Sequence, residues 1–234
     1  MGEIRIMPVK ELDLRLEPRA WGWAEANRAA SGAHFEKQRE RWPGIWNGRI
    51  LLLHRFVIEQ RIFRGAYLET DFASFLHWRD TGFPDSSMIN CFAMAALRAA
   101  DGAFLLGRMA KHTANAGKVY FPSGTPDLND LRDDGIVDLD GSVRRELLEE
   151  TGLISTDAKF GDWHAVLAGA RVALVRALEA LEDAETLAAR IRVHLATTPR
   201  PELADVAIVR GRDDLSPAMP DFVRAYLEAA FAQR

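Results

Sequence analysis

The chain has a single cysteine, Cys91, in 234 residues. That excludes an internal disulfide and fits a reducing compartment, so a cytoplasmic location is expected. Cys91 opens the apolar run Cys91-Phe92-Ala93-Met94-Ala95-Ala96-Leu97, which reads as the setting of a buried structural thiol rather than a nucleophile. No stretch approaches the ~20 apolar residues of a membrane span, and the start, Met1-Gly2-Glu3-Ile4-Arg5-Ile6, lacks the apolar core of a secretory leader. A membrane partner is not expected. Positive charge is not in excess either: 30 Lys and Arg stand against 34 Asp and Glu, for a net charge of −4. The basic footprint that duplex nucleic acid demands is missing, and no nucleic-acid partner is expected. The six histidines, His34, His54, His77, His112, His164 and His194, show no metal-ligand spacing, so a His-bound zinc is not supported. Internal repeats and low-complexity tracts are absent.

What is present is ordinary globular material, 48% hydrophobic and 27% charged, in a chain long enough to bury a full core. Residues 3 to 16 alternate weakly, as two short strands around a break at Pro8 would. Arg19 to Arg41 is charged, Ala-rich and compatible with a helix that ends at Pro43-Gly44. Strands are expected over 50–58 and 62–67, and a helix or loop over 68–80. Gly82-Phe83-Pro84-Asp85-Ser86-Ser87 is the best linker, which divides the chain into an N-terminal extension or subdomain, 1–85, and a second domain, 86–234. In the second part, Asn90–Leu97 and Ala103–Arg108 flank an Asp101-Gly102 hairpin signal. Strands are then expected over 163–167, 172–175 and 206–209, with helices over 183–195 and 221–231. This alternation implies a mixed sheet between helices, an α/β arrangement of the α+β type.

The most informative segment is Arg145-Glu146-Leu147-Leu148-Glu149-Glu150-Thr151-Gly152-Leu153. Asp138 is a plausible N-cap for a helix from about Leu139 to Thr151, with Val143, Leu147 and Leu148 facing the core. Glu146 is three residues from Glu149 and four from Glu150, so three carboxylates share one helical face and repel one another. They also crowd the C-terminal end before the helix-ending Gly152, where the dipole prefers cations. A helix that breaks two local rules at once suggests a functional site, and a bound divalent cation is the simplest compensation. The alternative for such a cluster, a solvated helix face, is the usual one for charge runs.

The segment resembles the second half of the Nudix box, the signature of hydrolases that act on nucleoside diphosphates linked to another group, and it matches every fixed position there. Phe121-Pro122-Ser123-Gly124 is similar to the family's Phe-Pro-Gly-Gly turn, with Ser123 for one Gly. Gly124 stands 21 residues before Arg145 where the family spacing is 14, so the loop Thr125 to Val137 carries an insertion of seven. Val137 falls where the family's first Glu is counted back from Arg145. Asp127, Asp130, Asp133, Asp134 and Asp138 are the candidates to replace it.

The resemblance implies a Nudix-like α/β/α sandwich with a mixed sheet. It implies Mg²⁺ or Mn²⁺ held by Glu146, Glu149 and Glu150, with the backbone around Ser123 or Gly124 as a further ligand and Arg145 holding a carboxylate in position. These four side chains are the expected catalytic set, and Glu202 is a later acidic residue to test as base. No organic cofactor is implied. The expected substrate is a small nucleotide-derived molecule, of coenzyme A type or NDP-sugar type, and Arg108 and Lys118 are the expected substrate contacts. Many relatives form homodimers, which makes a homodimer an expectation here. Two other classes compete: a catalytically weak or inactive Nudix-fold nucleotide-binding or regulatory module, favoured by the altered first half of the box, and an isomerase on the same scaffold, disfavoured by the setting of Cys91. The Trp-rich N-terminal part is expected to supply core or interface rather than a stacking surface for substrate.

Overall fold

Strand β5 (Asn90–Arg98) buries both of its faces, and this fixes the layering around it. Cys91, Ala93, Ala95 and Leu97 enter one core, while Met94 and Ala96, with Phe92 at the margin, enter another, as the two-residue alternation of a strand requires. A computed structural model describes residues 3–232, so Met1, Gly2, Gln233 and Arg234, the outer ends of the two expected segments, lie outside the described residues.

The main sheet runs in the order β1 (Arg5–Val9), β9 (Ala158–Ala168), β10 (Arg171–Ala180), β5, β6 (Phe104–Met109), β11 (Leu203–Val209). Two short strands, β7 (Val119–Tyr120) and β8 (Ser123–Gly124), add to β6 and β5 respectively. The β5–β10 pair is parallel and the other pairs are antiparallel. One face is covered by α4 (Leu139–Thr151) and α5 (Ala184–Thr197), through Val143, Leu147, Leu187 and Ile191. The other face is covered by α6 (Asp221–Ala232), through Phe222, Val223, Tyr226 and Leu227. The result is a mixed sheet between helices, as the alternation of elements implies.

A second sheet, β2 (Glu11–Leu16), β4 (Ile62–Asp71), β3 (Arg49–Glu59), lies beside α4. One of its faces sends Leu14, Leu51, Leu53, Phe63 and Tyr67 into the same core as α4 and β5. The other face, with Ile50, Leu52 and Leu68, is covered by Trp21 and by α3 (Phe72–Asp80), through Phe75 and Trp78. Trp21 and Trp78 meet edge to face at 5.7 Å, so most of the expected tryptophan role is structural; Trp46 remains exposed.

Several expectations are corrected. Across the expected boundary near residue 85 the two parts share structure: β1 is an edge strand of the main sheet, and side chains of β2, β4 and β3 enter the core under α4. The break in the first strands falls at Lys10 rather than Pro8. Pro8 is tolerated inside β1 because that strand is an edge with a free side. Arg19 to Arg41 divides at Asn27 into α1 (Gly22–Ala26) and α2 (Arg28–Arg41). Over 68–80 the strand continues to Asp71, whose side chain then caps α3 by accepting from the Ser74 amide. Leu148 is 47% exposed and not part of the core. The buried stripe of α4 follows the four-residue step Leu139, Val143, Leu147, Thr151, which leaves position 148 about 100° around the helix.

Candidate active site

Helix α4 has the ends the sequence anticipates. Asp138 Oδ1 accepts from the Gly141 amide at 3.0 Å. Gly152 ends the helix at φ 72°, a left-handed conformation in which any side chain is strained, and a Cβ there would also press on the His194 ring. Next to the fully buried stripe runs a second one, Ser142, Glu146 and Glu150. Glu150 is 5% exposed and neither of its carboxylate oxygens has a hydrogen-bond partner. Glu146 is largely covered as well, while Glu149 lies on the exposed side of the helix.

The turn Phe121-Pro122-Ser123-Gly124 is set against these carboxylates by the pairing of β8 with β5, Ser123 opposite Met94 and Gly124 opposite Ala93. A Cβ on Gly124 would collide with the Glu146 carboxylate, so only glycine lets the backbone approach this closely. Electrostatics are correspondingly unfavourable. Burial first, then the charges of Glu149 and Glu202, push the Glu146 carboxyl up to about 7, against the pull of Arg145. Glu150 is pushed well above the ordinary carboxylate range by burial, then by Glu146 and Glu202; the nearby Ser123 backbone N–H acts in the opposite sense without making a hydrogen bond. Buried anions without partners are costly.

Arg145 is held from both sides. It donates to Asp130 Oδ1 at 2.6 Å and to Glu146 Oε1 at 3.1 Å, and the Asp130 side chain is fully buried. Among the five aspartates open as replacements for the missing Glu, Asp130 is therefore the one that pairs with Arg145. Its position comes from a turn within the insertion. Asp127 and Asp130 cap a 3₁₀ turn, Leu128–Asp130, reciprocally; the Asp138 amide then donates to the Asp130 carbonyl at 2.7 Å, and Leu131 bridges to Val137. Val137 is 3% exposed and packs in the core under α4. Asp127 and Asp130 stand at the spacing of a capping box, which marks a turn, but Asp130 and Asp133 share that spacing, so the fold of the loop and not the local sequence singles out Asp130.

Glu202, near the start of β11, acts on the charges of both Glu146 and Glu150. The acidic residues do not form a ready-made ligand cluster: among the described residues, no group of three or more His, Cys, Asp or Glu is gathered for a metal ion. The donors nevertheless suit a hard divalent cation. They are oxygens, they carry excess negative charge, and the two on Glu150 are orphaned.

Beside Ser123 and Gly124 opens a cavity of about 530 Å³. Lys118 lines it; Arg108, the other expected substrate contact, does not, being exposed on β6 opposite Asp205. Tyr120 joins the cavity to the acidic stripe. It lines the cavity, and its hydroxyl is held in the neutral form by burial, then by the charge of Glu150. Cys91 is fully buried with its thiol pushed up to about 12 by burial, the setting of a structural thiol, which weighs against the isomerase reading. No helix among the described residues is long and apolar enough to cross a membrane.

No family model matches the chain, and no curated protein matches it. Solved structures similar to it include a MutT protein from Methanosarcina mazei Go1, 17% identical over 62% of this chain and 94% of that one, at a TM-score of 0.40. A Nudix hydrolase from Nitrosomonas europaea is 16% identical over 62% and 70% of the two chains at 0.42, and the Nudix hydrolase RenU from M. smegmatis is 17% identical over 61% and 84% at 0.38. These are partial likenesses of backbone shape at low identity.

Proposed function

We propose that the chain is a divalent-metal-dependent hydrolase of the Nudix type, cleaving a pyrophosphate bond in a nucleoside diphosphate linked to another group. The observation that carries this reading is the Glu150 carboxylate, buried without a partner beside Glu146 and against the Ser123-Gly124 turn. A folded chain that keeps such a group without a counter-charge is set up for a cation.

Glu146, Glu149 and Glu150 would hold Mg²⁺ or Mn²⁺, with the Gly124 backbone as a further donor. A bound cation of this kind neutralises phosphate charge and makes hydroxide available near neutral pH. Arg145, clamped between Asp130 and Glu146, fixes the orientation of the Glu146 carboxylate. The general base is either the one of these glutamates left free of the metal or Glu202, which shares their field. The cavity beside Gly124 receives the substrate, and Lys118 meets its phosphates.

The rival reading, an inactive nucleotide-binding module, takes its support from the displaced and altered first half of the box, with Val137 at the position of a supporting Glu; the pairing of Asp130 with Arg145 weighs against the Val137 part of that support. Incubation of the purified protein with Mg²⁺ and a panel of ADP-ribose, NDP-sugars, coenzyme A, dinucleoside polyphosphates and NTPs tests the proposal. Release of a nucleoside monophosphate or phosphate from one class is the expected outcome, and an inert protein across the panel would overturn it.

A further inference from the structure

The cavity beside Gly124 is not built from the Nudix-like segment alone. Helix α3, which follows the small N-terminal sheet, contributes Phe72, Phe75 and Arg79 to its wall, facing β5, Tyr120 and the start of α6. Phe75 is anchored in the apolar cluster that holds α3 to that sheet, and Phe72 is partly open at the cavity. The cations around the cavity fall into two kinds. Arg79 is matched by Asp80 at 2.8 Å and Arg171 by Asp221 at 3.0 Å. Lys118 and Arg224 have no ion pair among the described residues, and Arg224 Nε is buried without a hydrogen-bond partner. Asn90, which also lines the cavity, keeps a buried amide oxygen without a donor. Buried polar groups of this kind are normally satisfied, and in a cavity of this size the missing partners point to a ligand.

We propose that α3 of the N-terminal segment forms the apolar wall of this cavity and selects, among phosphorylated ligands, those that carry a flat or apolar group. The anionic part meets Lys118 and Arg224, and the apolar part lies toward Phe72 and Phe75; Asn90 supplies an acceptor for a donor on the ligand. Charge sets affinity here, and the aromatic wall separates a nucleotide from bare pyrophosphate, since aromatic faces reward a flat ring and an inorganic anion gains nothing from them. The N-terminal segment is thus a specificity element as well as part of the core. The site takes its place in the reaction from the hydrolase reading above, but its binding chemistry is testable without turnover.

The test is calorimetric titration of ADP, UDP and coenzyme A, with inorganic pyrophosphate alongside, into the full-length Glu150→Gln protein in EDTA. Lys118→Ala, Arg224→Ala and Phe72→Ala are compared in that background. At least one of the three organic ligands should bind more than about tenfold tighter than pyrophosphate, and each cation removed should weaken it about tenfold, the usual loss for one charged hydrogen bond. Phe72→Ala should narrow the margin over pyrophosphate, with Phe72→Leu retaining more of it as the control for folding. Binding of none of the three ligands, equal binding of pyrophosphate, or unchanged affinity in both cation variants would overturn the proposal. Catalysis and metal are absent from this assay, so it can fail while metal-dependent hydrolysis stands, and hydrolysis can fail while the pocket binds.

Discussion

At the scale of single residues, the site is defined by groups that are badly placed for stability. Glu150 is buried without a hydrogen bond, and Glu146 beside it has its carboxyl raised to about 7 by burial and by the charges of Glu149 and Glu202. Glu150→Gln should raise the melting temperature of the metal-free protein, since an amide is cheaper to bury than a carboxylate, while turnover with Mg²⁺ falls at least about a hundredfold; thermal scans and rates on the same preparations check both. The pH dependence has a definite sign. The Glu146 carboxyl titrates near 4.5 when exposed and about 7 when folded, so its contribution to stability is complete below 4.5 and is lost as pH rises through 7. Metal-free protein should therefore lose thermal stability across that interval, and added Mg²⁺ should recover most at its upper end. Asp130 acts one step away, through Arg145. Asp130→Asn should lower metal affinity or kcat by roughly 10- to 100-fold, the usual effect of removing a group that orients a ligand, with a smaller change in KM; steady-state kinetics over a range of Mg²⁺ concentration separate these.

At the scale of elements, the acidic helix and its turn act as one unit. Gly124→Ala should displace Glu146, reducing turnover sharply while changing the melting temperature little, because Gly124 is at a normal backbone angle and only the carboxylate has to move. How much was legible in the sequence follows from the range of the forces involved. Helix α4 was readable to its ends because its caps, Asp138 and Gly152, are local devices. The hairpin at Asp101-Gly102 was readable for the same reason, with Gly102 at φ 86°. The partner of Arg145 was not, since five aspartates were in reach and only the fold of the inserted loop separates them. Leu147 fills the core position and Leu148 is exposed, a difference that hydrophobicity alone does not carry. The cavity wall was invisible, because Phe72 and Arg224 meet only through the packing of distant elements.

At the scale of the whole molecule, the two halves share structure that a linear reading separates. Strand β1 pairs along β9 from Arg5 opposite Leu167 to Val9 opposite Trp163, and Leu14, Leu53 and Tyr67 pack into the core beneath α4. Residues 86–234 expressed alone should not fold cooperatively: losing these side chains exposes the apolar underside of the acidic helix, at about 25 cal/mol per Å². Circular dichroism and thermal unfolding of the fragment, beside the full chain with its single expected transition, test this, and a stable, cooperatively unfolding fragment would refute it. The N-terminal segment therefore supports the helix from below and supplies α3 to the cavity from the side.

The Glu150 carboxylate, buried on α4 without a partner beside Glu146, is set to hold a divalent cation, and Mn²⁺ binding followed by electron paramagnetic resonance is the decisive measurement. The wild-type chain should remove the free Mn²⁺ signal at neutral pH, with Glu150→Gln weakening binding by more than about tenfold, in line with the loss of a charged metal ligand. Equal Mn²⁺ binding by the two proteins, or none by the wild type, would contradict it.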